Sequence, residues 1–110
     1  MTDIIIYTTP EKLLHKQDKL KDDKDKSDCG EYFWGLRWLP KTLREGGRIY
    51  FAVKGFIVGY FKVYYIEEML DDSCDIFFHS KTWKDIKPIP TKSFQGFKYA
   101  DKVPELKNEN

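Results

Sequence analysis

Residues 48–66, RIYFAVKGFIVGYFKVYYI, constrain the fold most because they predict a β-hairpin whose arms are rich in β-branched and aromatic residues. Lys54 and Gly55 form the predicted turn, since glycine at the second position supplies the positive φ of a two-residue hairpin. One face alternates with period two and is predicted to pack on a core: Ile49, Phe51, Val53, Ile57, Gly59, Phe61 and Val63. The other face is aromatic and basic, and it either stacks bases or forms a second packed layer. Its members are Tyr50, Phe56, Tyr60, Tyr64, Lys54 and Lys62.

The chain has 110 residues, which predicts one domain over residues 1–110. Its formal net charge is only +1, so the whole-molecule field gives no argument for nonspecific nucleic-acid binding. The charges are unevenly distributed, because basic residues dominate residues 31–66 and an acidic block follows. That block is Glu67, Glu68, Asp71, Asp72 and Asp75.

Cysteine and histidine spacing predicts neither a metal site nor a cofactor. Cys29 and Cys74 form no CxxC pair, and only His15 and His79 add nitrogen ligands. No secretory signal precedes the first apolar run, and no apolar run is long enough to span a membrane. We therefore expect a cytoplasmic protein without a membrane partner, either a monomer or a homodimer.

The remaining segments predict short elements around the hairpin. Residues 3–7 read as a buried strand, and Thr9 and Pro10 can start a short helix. Residues 16–28 consist mostly of lysine and aspartate in balance, which predicts a charged, mobile loop. Further strands are predicted at residues 31–40, 74–79 and 97–100, with an extended Pro88–Pro90 stretch before the last and a flexible polar tail over residues 102–110.

These elements predict an α+β domain. Close-set turns and short strands favour a small mixed barrel of five or six strands with one or two flanking helices.

Three motifs in this order resemble the PUA-like superfamily, the pseudo-barrels that include the ASCH and EVE domains. They are WGLRWLP at 34–40, LREGGRIYF at 43–51 and KGFIVGYFKV at 54–63; WKDIKPIP at 83–90 and FQGFKY at 94–99 resemble the closing part of small members. The resemblance implies a PUA-like pseudo-barrel and, as the commonest role, binding of RNA or a modified base.

We therefore predict a non-catalytic domain that binds RNA, a nucleoside or a nucleotide. Trp34, Trp38 and Tyr60 are the predicted stacking residues. The predicted polar and phosphate contacts are Arg37, Arg44, Lys54, Lys92 and Gln95. For each tryptophan the competing interpretation is a place in the core.

Two alternatives stay open. Some ASCH proteins are amidohydrolases of acylated pyrimidine nucleosides, and Lys41 and Thr42 with Glu67 or Glu68 resemble their lysine, threonine and glutamate. The spacing differs, however, because Gly46 follows the Lys-Thr pair almost at once. The third class is a protein-interaction module that uses the aromatic face.

Overall fold

The β-branched and aromatic runs form one mixed sheet in the computed structural model, which describes residues 3–108. Seven strands lie within these residues: β1 (Ile4–Tyr7), β2 (Glu31–Leu36), β3 (Arg48–Val53), β4 (Phe56–Glu68), β5 (Cys74–His79), β6 (Lys84–Pro90) and β7 (Phe97–Tyr99). One α-helix, α1 (Pro10–Lys16), follows β1, and short 3-10 turns cover Ser80–Thr82, Ala100–Lys102 and Pro104–Asn108. No helix in this part of the chain is long and apolar enough to cross a membrane.

The sheet has the strand order β2-β5-β4-β3-β1-β7, and β6 also pairs with β4. β1 runs parallel to β3, and the other pairs are antiparallel. β2 and β7 are the two ends of this strand order, and over residues 3–108 no ladder joins them, so the sheet is open. The predicted α+β class with a mixed sheet and a helix is confirmed, whereas a closed barrel is not seen.

The strand count exceeds the predicted five or six because the proline-rich stretch is itself a strand, β6. Proline has no N–H to donate, so it is tolerated in strands that pair on one side only. β6 meets this condition, because β4 is its single partner among the described strands.

β4 is the central strand and is 13 residues long. β3 pairs with one edge of β4. On the other edge, β6 pairs with the N-terminal part of β4 and β5 with its C-terminal part. The register skips Val58 opposite β3 and Tyr64 opposite β5, so β4 has a bulge at each of these positions. Bulges bend a strand and increase its twist, which lets a single strand serve both halves of the sheet.

The first face of the hairpin is packed, and the second face is packed at Tyr50 and Tyr60 but exposed at Phe56 and Tyr64. One core cluster contains Ile49, Phe51, Phe61 and Val63, as predicted for the first face. The second cluster contains Tyr50, Tyr60, Ile86, Ile89 and Leu106, so a second packed layer forms at two of the four predicted aromatic residues. Ile57 is predicted in the first cluster but lies in the second, because the bulge at Val58 reverses the alternation.

The local signals for the turn and the helix are confirmed. Lys54 and Gly55 have φ of 49° and 87°, the two positive values of a type I′ turn. Thr9 caps α1, and its Oγ1 accepts a hydrogen bond from the Lys12 N–H at 3.3 Å. Pro10 occupies the first helical position, where its missing N–H costs nothing.

The charged segment after α1 has no helix or strand until β2 begins at Glu31. It is nonetheless held at two points, because the Asp23 carboxylate is hydrogen-bonded to His15 Nδ1 and Asp18 Oδ1 accepts from the Tyr32 hydroxyl at 3.1 Å. Lys26 Nζ also lies 3.8 Å from Asp18 Oδ1. The loop therefore lies against α1 and β2, and its mobility stays a prediction.

The end of the chain differs from the polar tail predicted from residue 102. Leu106 is buried in the second core cluster and Val103 packs against it. Val103 is extended between the last two turns, and its carbonyl accepts a hydrogen bond from the Leu106 N–H at 3.1 Å, which starts the final turn. The tail prediction for residues 109–110 lies outside the described residues.

Candidate ligand-binding cleft

A cleft of about 560 Å³ lies where the two edge strands of the open sheet approach each other. β2 and the turn after it contribute five residues to its lining: Trp34, Gly35, Leu36, Arg37 and Trp38. The other residues come from the end of β1 and the start of β7: Ile6, Tyr7, Gln95, Gly96 and Phe97. The cleft is thus formed by chain segments that are far apart in sequence.

β2 ends at Leu36, four residues before the predicted end at Pro40. Arg37 and Trp38 therefore leave the sheet, and Trp38 lies on a turn rather than on the Trp34 face of a strand. Its side chain is 61% exposed, although it lines the cleft. An exposed tryptophan at the rim of an aromatic cleft offers a ring face to a planar ligand.

Trp34 is half-buried and belongs to both the core and the cleft. Its ring meets Phe51 edge to face with centroids 5.3 Å apart, and Lys16 Nζ lies 5.7 Å from its ring centroid. Burial lowers the pKa of Lys16 from its ordinary value. These contacts fix the orientation of the indole before any ligand arrives.

Tyr7 connects the cleft to the hairpin tip. Its hydroxyl accepts a hydrogen bond from the Gly55 N–H at 2.6 Å, and its ring meets Phe94 edge to face at 5.5 Å. The Thr91 N–H donates to the Gly55 carbonyl at 2.9 Å. The turn that carries Lys54 and the segment that carries Lys92 therefore adjoin the same end of the cleft.

The structure brings together four of the eight predicted site residues, since Trp34, Arg37, Trp38 and Gln95 all line the cleft. Lys54 and Lys92 are exposed on the adjoining surface described above. Arg37 carries the only formal charge among the described lining residues, so no carboxylate there opposes an anionic ligand.

Two predicted residues lie elsewhere. Tyr60 is only 5% exposed, and the Arg48 guanidinium covers its ring at 4.5 Å from the centroid. β6 and the C-terminal turns bury this face of the hairpin, so Tyr60 is a core residue rather than a stacking surface. Arg44 Nη1 donates to the carbonyls of Lys41 and Leu43 at 3.0 Å, and Arg44 lines a different groove.

Sequence reasoning missed Tyr7 and Phe97 as lining residues. Tyr7 belongs to β1 and Phe97 to β7, two strands that pair although they lie near opposite ends of the sequence. Gly96, which has φ of 73° immediately before β7, was the only local signal of the sharp backbone change at this position.

The second groove, of about 950 Å³, contains residues named for the hydrolase alternative. Lys41, Glu67 and Glu68 line it together, beside Arg44 and Glu45. Lys41 and Thr42 are exposed, however, and Thr42 is absent from the described lining. The groove therefore gathers charges without the desolvated lysine that would activate a hydroxyl.

The fold and the cleft define a small α+β domain with an open mixed sheet and an aromatic cleft between its edges. No family model matches the chain, and no curated protein or solved structure matches it. The PUA-like resemblance accordingly stays a prediction.

Proposed function

We propose that this domain binds a nucleobase in the cleft, as part of RNA or as a free nucleoside or nucleotide, without catalysis. The observation that carries the proposal is that Trp34, Trp38, Arg37 and Gln95 share one cleft of about 560 Å³. This volume falls within the range of small-molecule sites, roughly 300–1,000 Å³.

Each of the four side chains has a chemical role in this proposal. The indole of Trp38 is exposed and the indole of Trp34 is held in place, so the two offer stacking surfaces for a base. The Gln95 amide has both donors and an acceptor, which suits the edge of a base. Arg37, the only charged group of the described lining, would pair with a phosphate.

The surrounding surface supports a strand of RNA better than a free base alone. Lys54 and Lys92 are exposed beside the Tyr7 end of the cleft, where they could neutralise neighbouring phosphates. The open sheet is also compatible with a pseudo-barrel of the PUA-like superfamily, in which we propose to place the chain. A cytoplasmic location is part of this proposal, since RNA is abundant there.

Titration of the protein with nucleosides and short single-stranded RNA, followed by calorimetry, tests the proposal. Trp38→Ala should weaken binding by roughly tenfold or more, because base stacking on an aromatic is worth about 1–3 kcal/mol. Phe56→Ala is the matched control, since Phe56 is an exposed aromatic outside the cleft. Wild-type protein that binds neither RNA, DNA nor any nucleoside would refute the proposal.

The hydrolase is the second candidate, because the second groove brings Lys41 beside Glu67 and Glu68. Incubation with an acylated cytidine, followed by chromatography, tests it directly. Turnover that Lys41→Ala abolishes and Trp38→Ala leaves intact would assign the function to that groove. Equal turnover by Lys41→Ala and wild type would exclude the groove.

A further inference from the structure

The outer side of β2, β5 and the C-terminal half of β4 carries a continuous aromatic surface, here called the outer aromatic face. Its members are Phe33, Phe77, Tyr65, Tyr64 and His79. Phe33, Phe77 and Tyr65 lie in one row across the three strands, with ring centroids 5.5 Å and 5.7 Å apart. Tyr64 stacks on His79 at 4.8 Å beside this row.

Three of these five rings are open to solvent, while Phe77 and His79 are half-buried and the opposite side of the same strands is buried. Phe33 is 48% exposed, Tyr65 44% and Tyr64 42%. Tyr32, Ile76 and Phe78, which alternate with them, belong to the first core cluster. A single exposed aromatic residue needs no explanation, but a contiguous row of them indicates an interaction surface.

Carboxylates border the outer aromatic face. Glu67 of β4 pairs with Asp75 of β5, two residues along each strand from the Tyr65–Phe77 pair. Glu68 is the last residue of β4. On the other side, Glu31 is hydrogen-bonded to the Tyr64 hydroxyl, which raises the pKa of that tyrosine to about 12. The turn between β4 and β5 adds Asp71 and Asp72, both exposed.

The molecule already places one cation on this surface. Lys16 Nζ lies 5.4 Å from the Phe33 ring centroid, within the range of a cation–π contact. An arginine or lysine from outside would find the same combination at Phe77 and Tyr65, with a ring face and a nearby carboxylate.

We infer that the outer aromatic face docks a segment of a partner protein in which apolar side chains alternate with arginine or lysine. The bordering carboxylates outnumber the two lysines on this side, Lys16 and Lys62, so the surface disfavours the phosphates of a nucleic acid. A two-fold contact with a second copy would bring both sets of carboxylates into the same patch, which disfavours self-association. The inference is independent of the cleft, which lies at the edges of the sheet.

The probe is a short synthetic peptide of alternating arginine and leucine, compared with one of alternating glutamate and leucine. Amide chemical-shift mapping of the labelled protein should show changes in β2, β5 and the C-terminal half of β4 with the arginine peptide alone. The double variant Phe33→Ser, Tyr65→Ser should weaken that binding about tenfold, because it removes the Tyr65 ring that would face an arginine and the exposed apolar surface of Phe33. Phe56→Ser is the matched control, since Phe56 is 43% exposed but lies at the other end of β4.

A second variant keeps the rings and removes charge. Glu67→Gln with Asp75→Asn should also weaken binding of the arginine peptide, by about fivefold. Asp101→Asn is its control, because Asp101 is an exposed carboxylate in the C-terminal turns.

Four outcomes would overturn the inference. They are equal binding of both peptides, shift changes confined to other strands, unchanged affinity in both variants, and a dimer in sedimentation that Phe33→Ser dissociates. If circular dichroism shows that the double variant Phe33→Ser, Tyr65→Ser is unfolded, the affinity of the Glu67→Gln, Asp75→Asn variant for the arginine peptide tests the inference instead. Loss of peptide binding with intact nucleoside binding separates this surface from the cleft.

Discussion

Gly59 shows how one residue governs the packing of the central strand. A Cβ at this position would lie 2.4 Å from Trp83 Cζ2 and 2.5 Å from the Lys84 carbonyl oxygen. The second atom belongs to the backbone of β6, so rotation of a side chain cannot relieve the overlap. Only glycine lets β6 and the Trp83 ring approach β4 this closely.

Gly59→Ala should therefore destabilise the protein by about 3 kcal/mol or more, since overpacking forces shifts in both strands. Urea denaturation measures the change. Gly35→Ala is the control, because there the nearest atom is a carboxylate oxygen of Asp75 at 3.2 Å, at the end of a side chain that can rotate. Equal stability of both variants would mean that β6 separates readily from β4.

The two cysteines should differ in reactivity. Cys29 is exposed, whereas Cys74 is 1% exposed and burial raises the pKa of its thiol to about 11. Maleimide at pH 8 should label Cys29 alone, and Cys74 only after denaturation, as mass spectrometry of tryptic peptides would show. Rapid labelling of Cys74 in the native protein would contradict the burial of β5.

The same thiol makes the protein less stable in alkali. Between the ordinary pKa of 9.0 and about 11, the unfolded chain loses the Cys74 proton while the folded protein keeps it. The free energy of unfolding should thus fall as pH rises through this window. Cys74→Ala should lack this part of the slope in denaturation measured from pH 8 to pH 11.

At the scale of elements, the hairpin turn depends on backbone conformation rather than on space. A Cβ at Gly55 would meet only the Thr91 carbonyl oxygen, at an ordinary 3.9 Å, yet the φ of 87° disfavours side chains. Gly55→Val should cost about 1–3 kcal/mol in thermal or urea denaturation, because β-branched residues resist positive φ. Gly55→Asn should cost clearly less, since asparagine tolerates this region. Equal costs for the two variants would indicate a different turn.

The charged loop after α1 should be the first segment to open. It has no strand or helix ladder, so its amides should exchange rapidly and trypsin should cleave there before elsewhere. The hydrogen bond from His15 lowers the pKa of Asp23, so this tether is present at neutral pH and is lost as pH falls through the lowered value. Asp23→Asn should accelerate exchange at pH 7, measured by mass spectrometry, with Asp28→Asn as the control. Slow exchange over the whole loop would contradict the prediction.

Local signals predicted elements well where one short motif decides the structure. The Lys54-Gly55 turn, the Thr9 cap and β5 needed no information from distant residues. The predicted end of β2 and the predicted side of Ile57 were wrong. A strand boundary and a bulge both depend on pairing with neighbouring strands, which local sequence does not show. The burial of Leu106 likewise depends on a core that other segments build.

At the scale of the whole molecule, the cleft depends on chain segments that sequence reasoning could only partly combine. The aromatic and polar character of residues 34–38 and of Gln95 predicted four lining residues. Tyr7 and Phe97 carry no such signal, because they become neighbours only when β1 pairs with β7. Tyr60 is predicted from the sequence as a stacking residue, but it packs in the second core cluster with Ile86 and Ile89 of β6.

Binding of single-stranded RNA should weaken as salt rises, because phosphate contacts release counterions. Arg37→Ala and Lys92→Ala should each flatten the plot of log affinity against log salt, by about 0.7 per lost phosphate contact. Trp38→Ala should lower affinity with the slope nearly unchanged. Arg44→Ala is the control, since Arg44 lines the other groove, and a slope that Arg44→Ala alone flattens would move the phosphate path there.

The place of β1 between β3 and β7 has a consequence for synthesis on the ribosome. β1 is made first among the strands, but its second neighbour, β7, begins only at Phe97. At roughly 5–20 residues per second, β1 waits several seconds with Ile4, Ile5 and Ile6 lacking one partner strand. During that interval the nascent chain exposes an unpaired apolar strand edge, and such an edge can pair with another chain until β7 covers it.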